Sequence, residues 1–221
     1  MRFDLKTFQF IDSARAPDAL AVVGADRSLT WAQLREEAEA WAAQAREHGA
    51  APDVPVAIYG HKEASFFVAM VGALLIGAPF VPVDTIYPPE RLRRIVEIVR
   101  AAAVYDAAAG GFEPGEGAEL AQRGLAYVMF TSGSTGDPKG VQIGRESVGL
   151  LGDWMLGSFG LGEAPVFMNQ APFSFDLSMY EVFATLAAGG TCVLNSREQI
   201  GAAATCMDRV ARNGLSGGGS R

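Results

Sequence analysis

Residues 125–140 read LAYVMFTSGSTGDPKG. An apolar run rich in strand-forming side chains ends at Phe130, and ten positions without a large apolar side chain follow. Gly133, Gly136 and Gly140 let the backbone turn tightly and approach a ligand closely. Thr131, Ser132, Ser134 and Thr135 supply hydroxyls, the open backbone supplies amides, and Lys139 adds a point charge. That set suits a polyphosphate, which needs many donors and little side-chain bulk. It is not a Walker A loop, which places Gly-Lys-Ser/Thr at the start of a helix; here Pro138-Lys139-Gly140 runs into a strand. Nor is it a nucleophile elbow, since there is no G-x-S-x-G and no histidine downstream to activate a serine. A plain surface loop has a similar composition, so chemistry alone leaves both readings open.

On either side of this stretch, strands and helices alternate. Thr30 and Gln33 form a T-x-x-Q capping box, and Trp31, Leu34, Ala38, Trp41 and Ala45 follow at helical spacing up to Gly49. VPVAIYG reads as a strand. Ser65 to Val83 carries no charge over 19 residues, a length at the edge of a membrane span. Gly77, Pro79 and Pro82 break it into a buried helix, Glu63 to Ile76, and a short strand, PFVPV. PPERLRRIVEIV is an amphipathic helix with Leu92, Ile95, Val96 and Val99 on one face, and AAAVYD is a strand. Residues 107–123 read as a polar, Gly-rich loop with a helix inside it. Beyond the polar loop come GVQI (strand), a helix from Glu146 to Phe159, PVFMNQA (strand), LSMYEVFATLAA (helix), TCVL (strand) and AAATCMDRVARNG (helix). The alternation predicts an α/β fold, a mostly parallel sheet flanked by helices.

The chain has 221 residues, 49% hydrophobic and 19% charged, so it folds rather than remaining disordered. Its net charge of −7 argues against nucleic acid or an anionic membrane as a partner. Cys192 and Cys206, His48 and His61 have no metal-ligand spacing, so no metal site is expected. Both histidines read as scaffold or surface residues without a visible partner. MRFDLKTFQFID lacks an apolar signal core, which predicts a cytoplasmic protein. The stretch 214–221 is a flexible Gly/Ser tail, standing where the alternation calls for another strand; its absence predicts an unpaired edge around Val193.

LAYVMFTSGSTGDPKG closely resembles the phosphate-loop signature of the adenylate-forming (AMP-binding) superfamily of amino-acid adenylation domains and acyl-CoA ligases. SLTWAQL, LLIGAPFVPVD and FSFDLS resemble three other signatures of its N-terminal half, in order. Within the superfamily, YGHKE, YPPERL, GVQIG with Asp153-Trp154, and NQAPFSFDLS resemble the family of D-alanine–D-alanyl carrier protein ligases. The resemblance implies that Thr131, Ser132, Gly133, Ser134, Thr135, Gly136 and Lys139 hold the ATP phosphates, with Lys139 also catalytic. It implies ATP, a small amino acid and a phosphopantetheinylated carrier protein as partners. It further implies that residues 1–213 are part of the large adenylation domain, with its second half and the small C-terminal domain absent. The partners of adenine, of ribose and of Mg2+ belong to those absent parts.

Asp176 lies between Phe175 and Leu177 at the start of a helix. Asp is a favoured N-cap, and an Asp in an apolar setting also suits an ammonium ion. The resemblance selects the second role, with Leu177 and Tyr180 lining the same substrate pocket. Tyr180 departs from the D-alanine enzymes, where a smaller residue is expected; peptide-synthetase adenylation domains for other small amino acids remain open.

Overall fold

The computed structural model describes residues 17–201, except 118, 120, 122 and 133–136. The expected helix at 202–214, Cys206 and the tail lie outside the described residues, as do Gly133, Ser134, Thr135 and Gly136.

Two sheets share one helical layer. The larger is built from β3 (Val56–Gly60), β4 (Phe80–Asp84), β5 (Ala103–Asp106), β6 (Gly111–Pro114), β7 (Leu125–Ser132) and β8 (Pro138–Gly144), in the order β6-β5-β3-β4-β7-β8. β5, β3, β4 and β7 run parallel, and antiparallel β6 and β8 close the two sides. The smaller sheet comprises β1 (Leu20–Val23), β2 (Ser28–Thr30), β9 (Val166–Asn169) and β10 (Thr191–Leu194), ordered β2-β1-β10-β9.

The helices are α1 (Trp31–Glu47), α2 (Ala64–Ile76), α3 (Pro89–Val99), α4 (Arg145–Ser158), α5 (Asp176–Ala188) and the short α6 (Arg197–Gly201). Strand residues alternate between two cores. Val56, Ile58, Phe80, Tyr127 and Met129 face one shared with α1, α2 and α5. Ala57, Val81, Val83, Val128 and Phe130 face a second, under α3. Both faces of the parallel strands are therefore buried, which is why they read as continuous apolar runs.

The local signals for helices are met. Thr30 Oγ1 accepts the Gln33 amide at 3.2 Å and Gln33 Oε1 accepts the Thr30 amide at 2.9 Å, the reciprocal box expected. α2 packs on α1 so closely that a Cβ on Gly72 would sit 2.5 Å from the Trp41 ring. α2 ends at Gly77, whose φ of 82° is the left-handed cap a glycine adopts without strain. Among the described residues, no helix is long and apolar enough to cross a membrane.

Three expectations need correction. Residues 107–123 contain a strand, β6, not a helix: Asp106 accepts the amides of Ala108 and Ala109 at 2.9 Å each, and Gly110, at φ 72°, turns the chain back along β5. Val193 is not at an edge. It pairs with Val23 of β1 on one side and Met168 of β9 on the other, and is fully buried. Among the described residues the outer strands of this sheet are β2 and β9, because β1 arrives from the far end of the sequence to cover β10. His61 is also not partnerless: its Nδ1 lies 2.6 Å from Asp84 Oδ2.

Candidate functional site

The phosphate-loop sequence joins β7 to β8 as an antiparallel hairpin. Thr131 faces Lys139 and Ser132 faces Pro138 in register, so the signature's first hydroxyl residue and its lysine stand side by side at the hairpin tip. Both Thr131 and Lys139 are exposed. Gly140 lies opposite Phe130, and a Cβ there would meet the Phe130 and Val128 side chains at 3.1 Å. The hairpin tip is tied to α3 by Arg94 Nε and Asp137 Oδ1 at 3.3 Å, an exposed pair that solvent screens.

Asp176 is the first residue of α5 and is exposed. It does not cap the helix: Phe175 is the N-cap, and no side chain caps that end. Instead Asp176 Oδ1 accepts a 2.9 Å hydrogen bond from the Tyr127 hydroxyl. Tyr127 belongs to β7, the strand that runs into the phosphate loop. Its buried ring stacks between Phe80 (5.3 Å, 17°) and Phe183 (5.9 Å, 25°). Burial and the neighbouring carboxylate push the phenol well above its ordinary pKa, so it stays a donor. One strand thus leads into the β7–β8 hairpin and also fixes the carboxylate.

Around Asp176 the surface is apolar and open. Phe175 and Leu177 flank it, and Trp154 and Phe159, linked to Tyr180 of the same helix, are exposed as well. Tyr180, half-buried, meets the Phe159 ring edge-on at 6.1 Å, and Phe159 meets Trp154 at 4.9 Å. Leu177 and Tyr180 stand on the same helix as Asp176.

Behind the Asp176 loop lies a polar cluster that sequence reasoning missed. Lys62, after β3, is 3% exposed. Its ammonium donates to Asn169 Oδ1 and to the Ala171 carbonyl, and sits 4.2 Å over the Phe173 ring. Burial pushes its pKa down to about 8. Asn169 passes the contact on, donating to the Ser178 carbonyl at 3.0 Å and to Glu181 at 3.1 Å, both on α5. At the ends of β3 and β4, Asp84 accepts from His61 and from the Ile86 amide, and Arg197 reaches it from beyond β10 at 2.5 Å. Burial raises the Asp84 pKa, but these donors outweigh it and hold the carboxyl below its usual range. Lys62 lies in the YGHKE motif and Tyr127 in the phosphate-loop signature, but neither motif states the cross-fold contact its side chain makes.

Among the described residues, no group of three or more His, Cys, Asp or Glu side chains could hold a metal ion.

The model of a family described as AMP-binding enzyme matches residues 10–113 and 112–216. The chain belongs to that family. A D-alanine–D-alanyl carrier protein ligase of Bacillus velezensis is 33% identical over 90% of this chain and 44% of its own length. The enzyme of that name from Staphylococcus aureus (strain JH9) is 33% identical over 83% of this chain and 41% of its own. The chain thus spans less than half the length of the curated relatives it matches. Among solved structures, a four-domain nonribosomal peptide synthetase bound to AMP and glycine superposes with a TM-score of 0.77 over 94% of this chain, at 23% identity. A second nonribosomal peptide synthetase superposes with a TM-score of 0.74, at 27% identity. The α/β architecture is that of these synthetases, as the signature order predicts.

Proposed function

We propose that this chain carries the phosphate-binding and ammonium-binding half of an adenylate-forming ligase, acting in the cytoplasm on a small amino acid, D-alanine. Residues 1–213 form part of its large domain. The amino-acid carboxylate attacks the α-phosphate of ATP; the bond to pyrophosphate breaks and an aminoacyl adenylate forms. The thiol of a phosphopantetheinylated carrier protein then takes the aminoacyl group as a thioester, and AMP leaves.

The observation that carries this reading is the Tyr127–Asp176 hydrogen bond. It leaves one oxygen of a fixed carboxylate for the substrate ammonium, on a scaffold continuous with the phosphate hairpin. Such a rigid link orients the substrate carboxylate toward ATP. Lys139, with the hydroxyls and amides of residues 131–136, stabilises charge developing on the departing pyrophosphate. Leu177 and Tyr180 bound the side-chain end of the pocket.

The test is amino-acid-dependent pyrophosphate exchange by the full-length protein across a panel of small amino acids. D-alanine as the preferred substrate, with exchange lost in Asp176→Asn, supports the reading. A preference for glycine or another small amino acid favours a second reading, a peptide-synthetase adenylation domain. The Tyr180–Phe159 contact, which narrows the pocket wall, speaks for that alternative. Absence of any exchange, with nucleotide binding also absent, identifies a non-catalytic chain.

A further inference from the structure

We propose that Lys62 is a positioning residue for the amino-acid site, holding loop 170–175 and the first turn of α5 where Asp176 can meet the substrate ammonium. This rests on the reading of Asp176 given above. The geometry is a continuous chain of contacts. Lys62 Nζ donates to Asn169 at the end of β9 and to the Ala171 carbonyl inside the loop, and lies over the ring of Phe173, also in the loop. Phe173 packs on Phe66 of α2 at 4.8 Å. Asn169, fully buried, donates to Ser178 and Glu181, and Ser178 Oγ donates back to the Phe175 carbonyl at 2.7 Å. Asp176 sits inside that last link, between Phe175 and Ser178.

Packing alone does not call for a lysine here. A methionine would fill the same space without desolvating a charge. No carboxylate is among the hydrogen-bond partners of Lys62; Glu181 of α5, Asp84 of β4 and Cys192 of β10 act on it only at longer range. What the lysine supplies is reach: from the end of β3, in one sheet, its ammonium bridges to the end of β9, in the other. Tyr127 fixes the Asp176 carboxylate from β7, and Lys62 fixes the backbone that carries it.

The test compares Lys62→Met with Lys62→Gln in the full-length protein. Methionine keeps length and volume and removes both hydrogen bonds, while glutamine retains a donor amide. In Lys62→Met, the amino-acid KM should rise roughly fivefold or more, the loss of about one buried hydrogen bond. The KM for ATP should stay within about twofold, and Lys62→Gln should recover part of the loss, because a donor is restored. Amide hydrogen exchange should quicken over residues 169–178 and stay unchanged over β7 and β8. A folded Lys62→Met protein with an unchanged amino-acid KM, or with both KM values rising together, overturns the proposal. If Lys62→Met does not fold, unchanged hydrogen exchange over 169–178 in Lys62→Gln overturns it. An unaltered protein without amino-acid-dependent exchange overturns the functional reading itself, and this proposal with it.

Discussion

Tyr127→Phe removes one oxygen atom and tests the link between the two halves of the site. The ring stays, with its stacking on Phe80 and Phe183, so the fold should persist with a modest loss of stability. What goes is a 2.9 Å hydrogen bond to a carboxylate. Hydrogen bonds to charged groups contribute about 1.5–3 kcal/mol. Asp176 is exposed, so water partly replaces the lost donor, and the lower end applies: about 1.5 kcal/mol, or roughly tenfold in equilibrium terms. The carboxylate then rotates among rotamers, and the substrate ammonium must reorder it on binding. The assay is pyrophosphate exchange in the full-length protein, with amino acid and ATP varied separately. The amino-acid KM should rise about tenfold while the KM for ATP holds within about twofold. An unchanged amino-acid KM would refute the idea that Tyr127 orients Asp176. A matched rise in the KM for ATP would mean that the change had disturbed the hairpin instead.

Three further outcomes follow. Lys139→Ala in the full-length protein should slow adenylation far more than it weakens amino-acid binding, since its charge matters most as pyrophosphate departs; an unchanged rate removes Lys139 from the chemistry. Asp84→Asn should lower stability by about 2 kcal/mol, read by denaturant unfolding, because a buried carboxylate satisfied by His61 and the Ile86 amide is lost. The same carboxyl has a folded pKa below its unfolded value of 3.8, so the stability it lends is complete above that value and lost as pH falls through the folded pKa; an Asp84→Asn protein with the same acid limb as the unaltered one contradicts this. The 221 residues by themselves should show no turnover of ATP and D-alanine, and light scattering should find self-association through the apolar surface around Asp176.

Local features of the fold were legible in the sequence because they depend on neighbours in the chain. The capping box at Thr30, the glycine stop at Gly77 and the proline start of α3 are written within a few residues. β3, β4 and β7, buried on both faces, were also readable, as apolar runs bounded by turns. Strand order was not. β1 and β10 are separated by most of the chain, yet they pair, and no local signal states it. The expectation of an exposed edge at Val193 failed for that reason: a strand's neighbours in a sheet are a property of the whole topology. β6 was missed because its turn rests on one Asp106 side chain and one left-handed glycine, within a stretch that is polar overall.

The candidate site divides in the same way. The loop sequence at residues 131–139 and Asp176 stood out because each lies in a compact motif of sequence neighbours. Tyr127 and Lys62 lie in quoted motifs too, but their contacts cross the fold and no local pattern states them. Tyr127 sits in an apolar strand, where an aromatic residue is expected to pack and does pack; only its hydroxyl does something more. Lys62 interrupts an apolar region, where a solvated side chain is the usual reading; it is buried because the two sheets converge on it. The two are complementary. One reaches Asp176 from β7, the strand that enters the hairpin, and the other reaches the loop before it from the end of β3, two strands away in the same sheet. A carboxylate held from both directions has little freedom left to lose when substrate arrives. That preorganisation is the physical reason to expect the Tyr127 and Lys62 variants to act on the same constant, the amino-acid KM, and to do so less than additively when combined.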